Sequence, residues 1–192
     1  MIANGMEAIF FTVFGAAMGS FANVVIHRLP RNRSLMRPGS HCVRCRKPVL
    51  LFDNIPVLSW LLLGGRCRAC RQPISPRYPV VESVVAVFGF LLWRRYAPDQ
   101  LWTALALICA AVLVMVAMID WDTFLIPDEL SLGLLAAGLL VSSWNPQFSG
   151  SWYGRAAESG LGAAAGFLLC AGIAFVGKWF FEKGAMGGGD VK

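Results

Sequence analysis

The sequence contains few charged residues. Only 15% of its 192 residues are Asp, Glu, Lys or Arg, whereas 57% are hydrophobic, and the mean hydropathy is +0.61. A soluble domain averages about 25% charged and about 45–50% apolar residues. The scarcity of charge therefore argues against a soluble domain and predicts an integral membrane protein.

Several stretches carry no charge over the length of a membrane span. A helix of about 20 residues crosses the roughly 30 Å hydrocarbon core of a bilayer. We predict an all-α polytopic membrane protein, a helical transmembrane bundle with five spans: 8–26, 78–93, 101–119, 130–144 and 159–177. Glu82 interrupts the second run. The first run has no basic segment before it and follows Glu7, so we expect it to be retained rather than removed as a signal peptide.

Carboxylates are almost missing from the stretch 27–77, which contains only Asp53. The same stretch contains 11 of the 17 Lys and Arg residues of the sequence. The positive-inside rule predicts that this loop is cytoplasmic and that the N-terminus is outside. We divide the chain into a first transmembrane helix (1–26), a basic cytoplasmic loop (27–78) and spans two to five (79–192). No aromatic-rich binding module accompanies the arginines, so the charge favours a lipid bilayer with anionic head groups over nucleic acid.

Six cysteines are present, and two of them, Cys109 and Cys170, lie in apolar runs, where cysteine behaves as a small hydrophobic residue. The other four form two C-x-x-C pairs within the basic loop: Cys42, Cys45, Cys67 and Cys70. This spacing is typical of a structural zinc site with four thiolates, which stabilises a small loop domain. Two disulfides or four free thiols are the alternatives, although disulfides are rare in the cytoplasm.

Carboxylates reappear where the third and fifth apolar runs end. Asp120 follows the third run, Pro127 prevents a continuous helix beyond it, and Asp190 follows three glycines near the end of the sequence. Two facing carboxylates that share a proton activate water in aspartic proteases, and the topology allows these two to meet at one membrane face. The alternative to a catalytic role is a carboxylate that is only solvated or lies at the membrane interface. We favour this alternative for each of the neighbouring acids Asp122, Asp128 and Glu129.

These motifs, in their order along the chain, resemble the bacterial type IV prepilin peptidases, a family of polytopic G-x-G-D aspartic proteases. The matching segments are GSFANVVIHRLP (19–30), both C-x-x-C pairs, NIPVLSWLLLGGRC (54–67), RYPVVE (77–82), IDWDTFLIPDELS (119–131) and GGGDVK (187–192). The resemblance implies that Asp120 and Asp190 are catalytic and that the four loop cysteines bind the metal. Gly187 and Gly189 would let the backbone approach an extended substrate closely.

The resemblance also implies a substrate and a second activity. Family members cleave the short basic leader of prepilin and pseudopilin precursors after a glycine, at the cytoplasmic face of the bacterial inner membrane. Members with the cysteine loop also methylate the new N-terminal residue with S-adenosylmethionine. Candidates for that cofactor's site are Glu82 and His27. The alternative for Glu82 is a salt bridge with Arg77 or another arginine of the loop, and the alternative for His27 is a residue that only lies at the membrane interface. Our own hypothesis is that Asp128 and Glu129 attract the basic leader.

Other interpretations remain open. One alternative is a peptidase without methyltransferase activity, and another is a non-enzymatic membrane adaptor whose zinc knuckle binds a pilus-assembly partner. A proton carrier is disfavoured because the acids gather at one boundary instead of at the span centres. Family members continue past the G-x-G-D motif with further spans, so we expect the sequence to be truncated or to be a region of a longer protein.

Overall fold

The computed structural model describes residues 2–142, 144–145 and 150–180. Six α-helices make up most of this part: α1 Ile2–Arg28, α2 Leu58–Leu62, α3 Arg77–Tyr96, α4 Gln100–Thr123, α5 Asp128–Ser142 and α6 Trp152–Phe180. Short 3-10 turns cover Leu29–Arg31 and Leu51–Asn54. Among the described residues there are isolated β-bridges but no β-strand, so the prediction of an all-α fold is confirmed.

Helices occur at all five positions where we predicted spans. Three segments are long and apolar enough to cross a membrane: Gly5–Arg31, Gln100–Thr123 and Trp152–Ile173. α3 and α5 fill the other two positions, but α3 carries Arg and Glu side chains and α5 has 15 residues, or about 22 Å of length. The chain is therefore a helical membrane protein, and the count of five spans stays a prediction.

The chain divides into two compact units, Met1–Met118 and Ile119–Lys192. In the first unit α1 and α3 pack in opposite directions at very short range. A Cβ atom on Gly15 would lie 2.6 Å from the carbonyl oxygen of Val85, and one on Gly19 would lie 2.7 Å from the Cα atom of Glu82. Gly89 of α3 approaches the backbone of α1 as closely. Small residues one turn apart permit such contact between membrane helices.

The interior of the first unit is formed by α1, α3 and α4 together. Phe11, Val85, Leu107 and Ala111 are buried in one apolar cluster. At the end where α3 finishes and α4 starts, the Glu7 carboxylate accepts hydrogen bonds from the side chains of Trp93 (3.4 Å) and Gln100 (2.8 Å). These bonds connect the three helices at that end of the unit.

At the opposite end, α1 and α3 are joined by the basic loop. The side-chain amide of Asn23, which is buried, donates to the carbonyl oxygen of Tyr78 at 3.1 Å. The guanidinium of Arg77 donates to the carbonyl oxygen of Met118 at 3.1 Å, so Met118 of α4 lies at the end of the unit that carries the loop.

In the second unit, α5 and α6 pack against each other. The break before α5 lies where Pro127 predicted it: Phe124 has a φ of 53° and α5 begins at Asp128. Large apolar side chains of α6 are exposed, among them Leu161 and Phe167, as expected for a helix that faces lipid.

Candidate metal centre and catalytic segment

The two cysteine pairs belong to a short internal repeat that our sequence analysis missed. The stretches CVRCRKP (42–48) and CRACRQP (67–73) share the pattern C-x-x-C-R-x-P. Comparing the residues around each pair would have revealed the repeat. The structure gives both copies the same turn, with bridges between His41 and Pro48 and between Arg66 and Pro73.

Each turn is closed by the same pair of backbone hydrogen bonds. In the first copy, the N–H of Arg46 donates to the carbonyl of Cys42 at 2.8 Å, and the N–H of Cys42 donates to Lys47 at 3.0 Å. In the second copy, Arg71 donates to Cys67 at 2.9 Å. Both arginines have left-handed φ angles, 59° and 60°. The turn therefore holds the two sulfurs of each pair on one side, as a chelating pair.

The four sulfur atoms, of Cys42, Cys45, Cys67 and Cys70, lie within 4.8 Å of one another. The Sγ atoms of Cys42 and Cys70 are 3.8 Å apart, far beyond the length of about 2.05 Å of a disulfide bond. A tetrahedral ion with metal–sulfur distances of about 2.3 Å requires sulfurs about 3.8 Å apart. The sequence prediction that these cysteines meet is confirmed, and the cluster can hold a metal ion.

The close approach of the four sulfur atoms and their hydrogen bonds shift the pKa values of two of the thiols in opposite directions. The pKa of Cys42 is lowered to about 6 because the backbone N–H groups of Cys45 and Arg44 donate to its sulfur. At Cys70 a hydrogen bond from the Gln72 N–H acts in the same direction, but burial and the three other sulfurs outweigh it and raise the pKa to about 11. A cation among the four sulfurs would remove this mutual repulsion, so the donor set fits a metal that prefers thiolates.

One of the flanking arginines has a partner within the loop. Arg68 makes two hydrogen bonds to the carboxylate of Asp53, at 2.8 and 2.7 Å. This bidentate geometry lowers the pKa of Asp53 through the hydrogen bonds first and through the positive charge second. It also ties the turn at Leu51–Asn54 to the second cysteine pair. Arg44, Arg46 and Arg66 are exposed at the surface of the loop domain.

Glu82 is buried at the packing face of α3, with 8% of its surface exposed. Its Oε2 atom accepts a hydrogen bond from the backbone N–H of Val57 at 2.7 Å. Val57 has a φ of 60°, which is rare for a β-branched residue, and it directly precedes α2. Glu82 therefore connects the loop domain to the α1–α3 pair, a contact between distant parts of the sequence that no local pattern indicates.

His27, the other candidate for the cofactor site, lies in the last turn of α1 and is exposed. Its backbone carbonyl accepts a hydrogen bond from the Arg31 guanidinium at 2.7 Å. His27 is open to solvent, and the carboxylate of Glu82 is bound to a backbone amide. A role of either residue with S-adenosylmethionine stays a prediction.

Asp120 lies in the last turn of α4 and is half-buried. Its carbonyl oxygen accepts a hydrogen bond from the N–H of Phe124 at 2.8 Å, which ends the helix. The next residue, Trp121, is 81% exposed and Phe124 is 87% exposed. Asp120 therefore lies at the end of an apolar helix, as the sequence predicted, and next to residues with exposed aromatic side chains.

The other acids of this segment are exposed. Asp122 is in the last turn of α4, and Asp128 and Glu129 form the first turn of α5. Carboxylates in a first turn stabilise a helix by complementing the positive end of its dipole. Asp128 and Glu129 thus have a structural role in addition to any role with substrate. The predicted site residues Asp190, Gly187 and Gly189 lie outside the described residues.

Two family models together match most of the chain. Residues 13–96 match the Bacterial Peptidase A24 N-terminal domain, which includes the loop with the four cysteines. Residues 107–192 match the Type IV leader peptidase family, and this region contains both Asp120 and Asp190. No solved structure matches the chain.

Similar curated proteins carry one recurrent name, prepilin leader peptidase/N-methyltransferase. The protein of Klebsiella pneumoniae is 40% identical over 95% of this chain and 80% of its own length. That of Aeromonas hydrophila is 37% identical over 100% of this chain and 73% of its own length. That of Myxococcus xanthus is 38% identical over 95% of this chain, and the match spans about half (52%) of its length.

The chain belongs to the Type IV leader peptidase family, as its motifs indicated. The family prediction is thereby confirmed, together with the expectation that the chain belongs to a family of enzymes.

Proposed function

We propose that this protein is a membrane-embedded aspartic endopeptidase that removes the basic leader from type IV prepilins and pseudopilins. The observation that carries the proposal is the family match over 107–192, which holds both candidate aspartates within one peptidase region. The names of the relatives supply the substrate class.

In the proposed reaction, the carboxyl groups of Asp120 and Asp190 act as a pair. Two carboxyl groups at short range share a proton, so one is able to take a proton from water while the other donates to the peptide carbonyl or to the leaving amine. The position of Asp120 at the end of an apolar helix suits cleavage at the membrane boundary. We propose that this boundary is the cytoplasmic face of the inner membrane, and that cleavage follows a glycine.

The experiment that tests the activity is cleavage of a prepilin in liposomes, followed by mass spectrometry. The unmodified chain should release the leader, and Asp120→Asn and Asp190→Asn should each abolish release while prepilin still binds. Asn keeps the size of the side chain but cannot exchange the proton. Cleavage by Asp120→Asn at the unmodified rate would refute the aspartic mechanism. Binding without any cleavage by the unmodified chain would favour the adaptor interpretation.

We further propose that the exposed Asp128 and Glu129 attract the basic residues of the leader. The support is their exposure at the start of α5, which four residues separate from the end of α4. Asp128→Asn combined with Glu129→Gln should raise KM for a leader with several lysines and leave kcat nearly unchanged. The matched control is Glu158→Gln, which neutralises an exposed carboxylate of α6. An equal KM in both variants would refute the role.

We propose zinc as the metal of the cysteine cluster and a structural role for it. Four thiolates fill a tetrahedral coordination sphere, so no open position remains for substrate or water. When bound, the ion would hold the two turns together. The support is the sulfur geometry and the arrangement of the cysteines in two chelating turns.

N-methylation with S-adenosylmethionine is the second proposed activity, and the names of the relatives carry it. The same mass spectrometry tests it, because a methyl group replaces one hydrogen atom of the amine when the cofactor is added, and the product is heavier by the mass of CH2. Leader release without this increase would identify a peptidase without methyltransferase activity.

A further inference from the structure

The segment Leu50–Leu62 is an exposed apolar surface in an otherwise basic loop. Its large apolar side chains point outward, with exposed fractions of 90% at Leu51, 64% at Phe52, 60% at Leu61 and 86% at Leu62. No function assigned above uses these side chains. In a loop domain surrounded by water, so many neighbouring apolar side chains would be unfavourable.

The segment is firmly tied to the loop domain that exposes it. The hydroxyl of Ser59 donates to the carbonyl oxygen of Phe52 at 2.8 Å, which joins α2 to the preceding 3-10 turn. The indole N–H of Trp60 donates to the carbonyl oxygen of Ile74 at 3.1 Å, beside the second cysteine turn. Its ring lies directly over Gly65, where a Cβ atom would be 2.8 Å away. The apolar surface is therefore a fixed part of the domain.

The hydrogen bond between Val57 and Glu82 fixes the position of the segment along the axes of α1 and α3. Glu82 lies five residues into α3, about 8 Å from its first residue, and it packs against Gly19 of α1. Gly19 lies nine residues before Arg28, or about 13 Å along the helix axis. Along the helix axes, the start of α2 therefore lies level with apolar parts of α1 and α3. It is farther from the loop end of α1 than Arg28 is.

At this height the neighbouring helices also expose apolar side chains. Phe21 of α1 is 53% exposed and Val80 of α3 is 57% exposed. The segment is thus attached by the Val57–Glu82 hydrogen bond at a level where α1 and α3 also expose apolar side chains. Interfacial helices bury their apolar faces about 5–10 Å into the boundary between head groups and acyl chains, a distance comparable with the roughly 8 Å between Glu82 and the first residue of α3.

We propose that Leu50–Leu62 is an interfacial membrane element, inserted into the leaflet on the side of the metal-binding loop. Its apolar side chains contact lipid acyl chains. The arginines of the two cysteine turns, exposed in the same domain, lie among anionic head groups, which attract basic segments near a membrane surface. The loop domain is then a membrane-bound domain, held by lipid in addition to the ends of α1 and α3.

The proposal is tested by measuring the depth of a nitroxide on the full chain in vesicles of phosphatidylethanolamine and phosphatidylglycerol. A keto-bearing amino acid at position 62 accepts the label and leaves the cysteines unmodified. A label at the exposed Arg37 of the same loop is the matched control. Circular dichroism of each labelled protein checks that the helices are retained. Collisions with oxygen and with a water-soluble nickel chelate are then compared by power saturation.

Insertion predicts that the label at position 62 collides with the nickel chelate about tenfold less often than the label at position 37, and more often with oxygen. Nickel accessibility equal to that of the control would overturn the proposal, because the segment would then face water. Low accessibility to both reagents would also overturn it, because protein, either this chain or a second copy, would cover the segment in place of lipid.

Discussion

The contact between α1 and α3 leaves no room for a side chain at Gly19, and one added methyl group tests this directly. In Gly19→Ala the new Cβ atom would stand 2.7 Å from the Cα of Glu82 and 3.1 Å from the carbonyl oxygen of Val81. Both are backbone atoms, which a rotamer change cannot move aside. Ordinary van der Waals contact begins at 3.4 Å, so the helices would have to separate by about 0.7 Å.

The expected cost follows from two opposing effects. Forcing an extra methyl group into a packed contact costs about 1–3 kcal/mol. Alanine in place of glycine inside a helix returns about 0.5–1 kcal/mol, because the unfolded chain loses freedom. The net expectation is a loss of up to about 2.5 kcal/mol in the free energy of unfolding, and a loss of about 1–3 kcal/mol relative to the same substitution at a helix position with open space. Gly5→Ala in the same helix is the control, since nothing lies within 4 Å of its new Cβ atom.

The measurement is unfolding of both variants in mixed micelles by increasing SDS, followed by tryptophan fluorescence. Gly19→Ala should unfold at lower SDS than the unmodified chain, whereas Gly5→Ala should unfold at the same SDS or slightly higher. Equal stability of the two variants, within about 0.5 kcal/mol, would show that α1 and α3 are not in backbone contact at this point.

Two further predictions concern the loop domain. Cys45→Ser should lower the bound zinc, measured by elemental analysis, to well below one ion per chain, whereas the control Cys109→Ser should retain it; full retention in both would exclude the cysteine cluster as the site. Asp53→Asn should speed amide hydrogen exchange in the loop at neutral pH, because Arg68 loses its bidentate partner. Since Arg68 lowers the pKa of Asp53, this stabilisation is complete above the ordinary pKa and is lost as the pH falls through the lowered one. An unchanged exchange rate at neutral pH would show that the pair contributes nothing.

Local patterns in the sequence predicted much of this molecule. The uncharged runs marked the helices because lipid requires long apolar segments with internal hydrogen bonds. The spacing of the cysteines predicted their meeting because few other structures need two C-x-x-C pairs. Pro127 marked the break between α4 and α5, since proline cannot continue a helix.

The contacts between distant segments could not be predicted in the same way. Gly15 and Gly19 have the spacing that allows close helix packing, but the partner surface on α3 appears only in the structure. Glu82 was read as a cofactor ligand or as one half of an ion pair, and it accepts a hydrogen bond from a backbone amide. A backbone donor has no signature in the sequence, so this role was missed. The pairing of Asp120 with Asp190 stays a prediction.

The repeated cysteine turn has a consequence for metal affinity. Each turn is one arm of a chelator with two ligands, and residues 49–66 are the tether between the arms. The affinity of the whole chelator then depends on the effective concentration of one arm around the other, which the conformation of the tether determines. The tether contains Leu50–Leu62, so a bilayer that orders this segment would tighten metal binding. By reciprocity, the bound metal would strengthen attachment of the tether to the bilayer by the same factor.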